Sequence, residues 1–423
     1  MKSYQDLIAA SENEAAKMAF VFAAITEHKG TEPYIIALDA EQYYRGLNPR
    51  ITKYEKIIYD MRGDAHVDKW TPNHKIASNF FNFAITQENQ YLLGNGATFT
   101  KDDTKAKLGD DFDTKLQDLG KKALVGGVAF GFFNLDHIDT FSLLEFVPLY
   151  DEENGALRAG IRFWQVSPDK PMRATLYEED GYTDYIRAND KSAMLHEKRP
   201  YKLKVRTSEA DGEEIYDGEN YPAFPIVPLW GNDKKQSELV GRQGTIDALD
   251  LLNSNLINNL DEANYIYWVL TNCGGMDDID DAKFIEQLKT THVAHADGDS
   301  GATAEAHTIE APYQASESAI QTIQRRLYED FMCLDVNSLS AANKTATEIK
   351  AAYQPLDSKC DMYEYCIDTF IRKLFDLIGI EDTVSFRRSR VINQSEEIQT
   401  ILSAAEYLDA DTVTEQICQI LGM

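Results

Sequence analysis

Two apolar stripes at helical spacing, held apart by a long acidic insert, limit this chain's fold more than any other feature. The first is Ile246, Leu249, Leu252, Leu256, Leu260, Ala263, Tyr267 and Leu270; the second is Ile320, Ile323, Leu327, Phe331 and Leu334. Steps of three and four place each set on one face of a helix. At ~1.5 Å per residue, a first helix running from Ser237 to Thr271 spans roughly 50 Å. Cys273-Gly274-Gly275 breaks it, and Met276 to Pro312 forms the insert, opening on Asp277, Asp278, Asp280 and Asp281. A short helical hairpin would let the two stripes cover each other, but an insert of roughly 40 residues points elsewhere. Copies arranged in a ring could seal them, because a cyclic neighbour presents a different surface. The core of an ordinary helical bundle is the other reading.

The remaining chain reads as α+β. Tyr4 to Glu27 is a helix or helix pair stopped by Gly30, Ile51 to Tyr59 is strand-like, Ile76 to Leu93 is a helix ended by Gly94, and Asp111 to Leu124 is another helix. From Val128 to Val205, strand-like runs alternate with Asp/Asn/Gly turns such as Asp151-Glu-Glu-Asn154-Gly155. Tyr221 to Gly231 contains three prolines and is an extended bridge. Ser316 is placed to cap the second stripe's helix, and Thr345-Ala346-Thr347-Glu348 fits a capping box. The helix that follows meets Pro355, which should kink or split it. Phe386 to Val391 is strand-like, with helices expected at Ser395–Tyr407 and from Thr412.

At 423 residues, the chain is long enough for two to four packed units. Its 42 basic and 70 acidic residues give a formal charge of −28, which argues against a basic nucleic-acid-gripping surface. It is compatible with letting DNA slide past, since like charge keeps contacts weak. No apolar run reaches the ~20 residues of a membrane span, and no signal peptide is read. The five cysteines are scattered without a C-x-x-C, as reduced thiols would be. No G-x-x-x-x-G-K-[ST] phosphate loop is present. A metal trio of His292, His295 and His307 is disfavoured, because a strand would turn the first two to opposite faces. No catalytic residue, metal or cofactor is expected. Arg387-Arg388-Ser-Arg390 is read as forming salt bridges across a subunit interface in preference to touching DNA.

Several ordered pieces resemble the portal proteins of tailed bacteriophages. They are Glu41-Gln-Tyr43-Tyr44-Arg-Gly46-Leu-Asn48, the segment from Pro72-Asn73-His-Lys-Ile76 to Tyr91-Leu92-Leu93-Gly94, the segment from Phe224-Pro225-Ile226-Val227-Pro228-Leu229 to Ile246-Asp247-Ala-Leu-Asp250 and Asn253, and Lys344-Thr345-Ala346-Thr347-Glu348-Ile349. Their order, from about Glu41 to the C-terminus, carries the likeness. The resemblance implies a wing over 1–225, a first stem helix with its approach over 226–272, a clip over 273–312 and a second stem helix over 313–336. A tunnel loop over 337–344, a back helix over 345–385 and a short crown over 386–423 would follow.

By the same resemblance, Asn337, Ser338, Ser340, Asn343 and Lys344 would face DNA. Asp277, Asp278, Asp280 and Asp281 would lie in a partner-docking clip. Ile246, Leu249, Leu256, Leu260, Ile323, Leu327 and Phe331 would seal adjacent subunits. The implied assembly is a homo-oligomeric ring, a dodecamer, conducting double-stranded DNA without sequence preference. Its implied partners are the terminase large subunit, capsid and scaffold proteins, and head-completion or adaptor proteins, with no membrane. Its implied place is the virion's portal vertex, after synthesis in the bacterial cytoplasm. A non-viral helical scaffold and an acidic α+β hydrolase are the alternatives, and no convergent acid–base pair marks the second.

Overall fold

In the computed structural model, the residues described are 2–60, 62–69, 71–188, 191–207, 214–263, 266–271, 286, 303–308, 313–336, 346–389, 401–403, 405, 409–410, 413–414 and 417. They divide into two compact units. One comprises Met1–Leu47, Asn79–Gly244 and Leu327–Met423; the other comprises Asn48–Ser78 and Thr245–Arg326.

The first unit mixes helix and sheet. Helices α1 (Tyr4–Ala10) and α2 (Glu14–Lys29) are the expected pair, capped by Ser3 and Asn13, and α3 is Glu32–Tyr44. Strands β6 (Phe146–Tyr150), β7 (Leu157–Trp164), β8 (Met172–Glu178), β9 (Gly181–Ala188) and β10 (Lys191–Met194) form an antiparallel meander. Leu7, Phe20, Val21 and Ile25 pack into one core with Leu149, Ile161, Phe163, Leu176 and Tyr185 of that sheet. Gly160 is needed there, because a Cβ would lie 2.0 Å from the Phe146 ring.

A second sheet has the order β13 (Ile226–Trp230), β4 (Val128–Asn134), β5 (His137–Ser142). The proline-rich bridge therefore includes a strand, and Pro228 stands opposite Phe130. Helix α7 (Phe112–Gly126) packs on these strands through an apolar face that includes Leu116, Leu119 and Ala123. Helix α5 (Phe80–Leu93) and the 33-residue Ala346–Ile378 helix, named α10 below, pack against each other. Pro355 lies inside α10 without ending it. The buried row Tyr353, Leu356, Cys360, Tyr363 and Ile367 runs on both sides of the proline, so packing outweighs one lost amide donor. Strands β3 (Ala97–Phe99) and β16 (Val384–Phe386) pair, as do β11 (Lys202–Thr207) and β12 (Glu214–Glu219).

The second unit contains the short helix α4 (Pro49–Thr52) and the hairpin β1 (Ile57–Tyr59)–β2 (Ala65–Val67). Pro49 starts a helical turn where a strand was expected from Ile51. Helix α8 covers Gln243–Ala263, shorter at both ends than the expected Ser237–Thr271. Beyond it, Ile266–Thr271 is strand β14, paired antiparallel with β15 (Thr303–Thr308). The run Ile266-Tyr-Trp-Val-Leu-Thr271 is β-branched and aromatic, and that preference ends the helix. Tyr267 and Leu270 consequently belong to a strand. Helix α9 (Tyr313–Asp330) begins before Ser316, which lies within it and does not cap it. The short helix α6 (Thr104–Leu108) belongs to the first unit.

Candidate functional site

Helix α8 carries a second periodic row besides its apolar one. Asp250, Ser254 and Asn258 are spaced by four and are all buried. Each accepts a backbone N–H from the extended segment that precedes α5. Ser78 donates to Asp250 Oδ1 at 2.8 Å, Ile76 to Ser254 Oγ at 3.0 Å, and His74 to Asn258 Oδ1 at 2.7 Å. Four helical residues rise ~6.0 Å and two extended residues ~6.6 Å, so every second strap amide meets every fourth helix residue. The strap runs antiparallel to the helix. It also explains why α5 starts at Phe80 and not at Ile76, since these amides are already bonded outside any helix.

Asn48 closes one end of the strap, donating to Asp250 Oδ2 at 2.5 Å and to the Ser78 carbonyl at 3.0 Å. Lys56 reaches Glu262 at 3.4 Å near the other end, where His74 also pairs with Asp261. Burial holds the Asp250 carboxyl above its ordinary range, although the Asn48 and Ser78 hydrogen bonds oppose it.

The expected interface residues separate by exposure. Ile246, Leu249, Leu327 and Phe331 are buried within the single chain, which covers these four without a neighbour. Leu256 and Ile323 are half-buried, and Leu260 is exposed.

In the first unit, a buried ion cluster joins three segments. Lys359 Nζ of α10 lies 2.6 Å from Glu88 Oε2 of α5 and 3.0 Å from Glu238 Oε2. Arg242 Nη1 pairs with Glu238 Oε2 at 2.8 Å, and Asn232 Nδ2 donates to Glu238 Oε1 at 2.8 Å. Burial pushes Glu88 up to about 7, with Lys359 pulling it down and Glu238 adding to the rise. Burial works against the Lys359 ammonium, but Glu88 and Glu238 outweigh it and hold its pKa above the ordinary lysine range. Glu238 is also penalised by burial, yet Lys359 and Arg242 bring it below its ordinary value. Gly120 of α7 admits this packing beside the cluster, since a Cβ there would lie 2.1 Å from the Tyr363 hydroxyl, which donates to Asn89 at 3.0 Å.

The cluster reaches the turn that closes α9. Arg242 Nε donates to the Asp330 carbonyl at 2.7 Å, and its guanidinium lies 4.9 Å from the Phe331 ring centroid. Cys333 N bonds to the Tyr328 carbonyl and Met332 N to that of Glu329, the two bonds of a Schellman C-terminus. Met332 takes the left-handed position with φ +53, where glycine is usual. Gln87 then clamps Leu334, accepting its N–H at 2.8 Å and donating to its carbonyl at 3.0 Å. The chain is thus anchored three residues ahead of the expected tunnel loop.

Asn337, Ser338, Ser340, Asn343 and Lys344 themselves, the acidic Asp277, Asp278, Asp280 and Asp281, and the histidines His292 and His295 lie outside the described residues. Arg388 finds its acids within its own chain, pairing with Asp357 at 3.1 Å, Glu364 at 3.0 Å and Asp361. All three stand on α10, so the expected cross-subunit role for Arg388 is replaced by an internal one. Among the described residues, no group of three His, Cys, Asp or Glu is placed to hold a metal ion, and no helix is long and apolar enough to cross a membrane.

Sequence reasoning passed over both polar constructions. Their signals were present. Lys359 stands three residues after Leu356 and four before Tyr363, beside Cys360, and Glu88 stands likewise between Ile85 and Leu92, so each is a charge at an apolar spacing. Asp250, Ser254 and Asn258 repeat at four within one helix, a spacing that short polar side chains gain from only when they have something to bind.

The profile of the family described as "Phage portal protein, SPP1 Gp6-like" matches residues 25–418. The portal protein of Bacillus phage SPP1 is 24% identical over 435 residues, covering 94% of this chain and 82% of that protein. The portal protein of Clostridium phage phiCD119 is 22% identical over 408 residues, covering 90% and 86%. A solved structure described as "Neck of native GTA particle computed with C12 symmetry" is 9% identical, with a TM-score of 0.47, over 80% of this chain and 89% of that one.

Proposed function

Since the chain belongs to the SPP1 Gp6-like phage portal protein family, we propose that copies of it close into a ring, a dodecamer, whose central channel conducts double-stranded DNA. Its role is that of a portal at the phage head vertex, and portal proteins are structural, non-enzymatic components of the head. The family match over 25–418 carries this reading. The exposed Leu260 and the incompletely buried Leu256 and Ile323 support it, and the sealing contact between neighbours narrows to these residues.

In this reading, Asn337, Ser338, Ser340, Asn343 and Lys344 form the loop that meets DNA, and only Lys344 supplies a phosphate contact. Short polar side chains there give loose, sequence-blind contact. The segment 273–312, with its acidic run, docks the terminase large subunit during packaging and head-completion or adaptor proteins afterwards. The wing meets capsid and scaffold proteins, and the subunit is made in the bacterial cytoplasm before entering the virion. The net charge of −28 fits a conduit that repels the phosphates it guides.

Replacing Ser338 to Asn343 with bulky residues tests the loop. Rings in electron micrographs should be unchanged while DNA packaging or retention fails. Normal full heads from that variant would remove the loop assignment, and a purified protein that stays monomeric at every concentration and salt would remove the ring.

A further inference from the structure

Strands β1 and β2 form a ribbon in which Ile57 stands opposite Val67 and Tyr59 opposite Ala65. That register puts these four on one face, with Ile58 and His66 on the other. Every one of them is exposed, Tyr59 at 72% and Ile57 at 57%. A lone two-stranded hairpin is marginal in water, and contiguous exposed apolar surface marks a contact site.

This hairpin is nevertheless well built at both ends. Asp60 Oδ1 accepts the N–H groups of Arg62 and Asp64 at 2.8 and 3.0 Å, and Gly63 takes φ +86 at the tip. At the base, Asp68 N bonds to the Lys56 carbonyl at 2.8 Å, and Lys56 is tied to Glu262 of α8. Tip and base are fixed while the apolar faces are given to solvent. Tyr54 and Ile76, in the same unit, are exposed as well.

We propose that the β1–β2 hairpin is an arm that packs on a second copy of this chain. The charges select that occupant. Residues 53–75 hold five Lys or Arg and four Asp or Glu, whereas the chain as a whole carries −28. The arm is a near-neutral part of an acidic protein, which another acidic copy does not repel, and Lys53, Arg62 and Lys69 meet complementary carboxylates there. DNA is disfavoured, since Glu55, Asp60, Asp64 and Asp68 stand among the cations. The inference rests on the ring reading and adds to it a contact outside the two apolar stripes.

The test joins assembly with cross-linking in the full chain. A photo-reactive phenylalanine analogue at Tyr59 should yield a species at twice the 47.8 kDa chain mass on a denaturing gel. The double variant Ile57→Asp/Tyr59→Asp should keep wild-type circular dichroism and melting, because both side chains are exposed, yet assemble roughly tenfold more weakly by sedimentation. If wild-type rings form but Tyr59 captures no second copy, or the double variant assembles normally, the arm is refuted and the ring stands. A wild-type protein that never assembles refutes both.

Discussion

Replacing Lys359 with methionine keeps the side chain's reach and removes its charge. Glu238 would retain Arg242 at 2.8 Å and Asn232, but Glu88 would lose the cation 2.6 Å away. Breaking a buried ion pair by removing one partner costs about 3–5 kcal/mol. For a chain of 423 residues that corresponds to a melting temperature lower by roughly 3–6 °C. The cost should depend on pH. Glu88 has a folded pKa raised to about 7 from 4.5, so its contribution is complete below the unfolded value and is lost as pH rises through the folded one. Losing Lys359 raises that carboxyl further, and the loss on going to alkaline pH deepens. Urea titrations followed by tryptophan fluorescence should therefore show the larger destabilisation near ~pH 8 and a smaller one near ~pH 5.5, where a protonated Glu88 needs no cation. Adding Glu88→Gln to the variant should recover most of the difference at the higher pH. Equal destabilisation at both pH values, or less than ~1 kcal/mol at the higher one, would refute the cluster's assigned role.

Two further outcomes follow from the geometry. Asp250→Ala strands the Ser78 amide and one of the two Asn48 amide hydrogens, and should cost about 2–4 kcal/mol. Hydrogen exchange should show it as faster exchange at residues 74–78, and unchanged protection there would sink the strap. Gly160→Ala forces a methyl into the Phe146 ring and should cost about 2–3 kcal/mol, read as a lower melting temperature; an unaltered one would show that the sheet gives way freely.

Legibility in the sequence followed the physics of each element. Strands from Val128 to Val205 were readable because alternation and Asp/Gly turns are local signals, and the C-terminal ends of α2 and α5 were readable from their closing glycines. The C-terminal limit of α8 was misread because Tyr267 and Leu270 continue the three-and-four spacing by coincidence, while the β-branched run beneath it favours a strand. Pro355 was expected to kink or split its helix, and burial on both sides of it keeps the helix unsplit. The long-range pairs of the polar strap and the ion cluster join residues roughly 120 to 270 positions apart, which no local pattern encodes. Family likeness brought out the ordered pieces, and it passed over Glu88, Glu238 and Lys359 altogether.

The pairing of every second strap amide with every fourth position of α8 makes the two segments a vernier. A substitution at Lys75 or Ala77, between the rungs, leaves the graduations aligned, so those places are open to drift. Inserting or removing one residue between His74 and Ser78 would offset every mark beyond it at once, and no single compensating change on the helix could restore the scale. Over evolutionary time, this stretch should accept new letters readily and changes of length hardly at all.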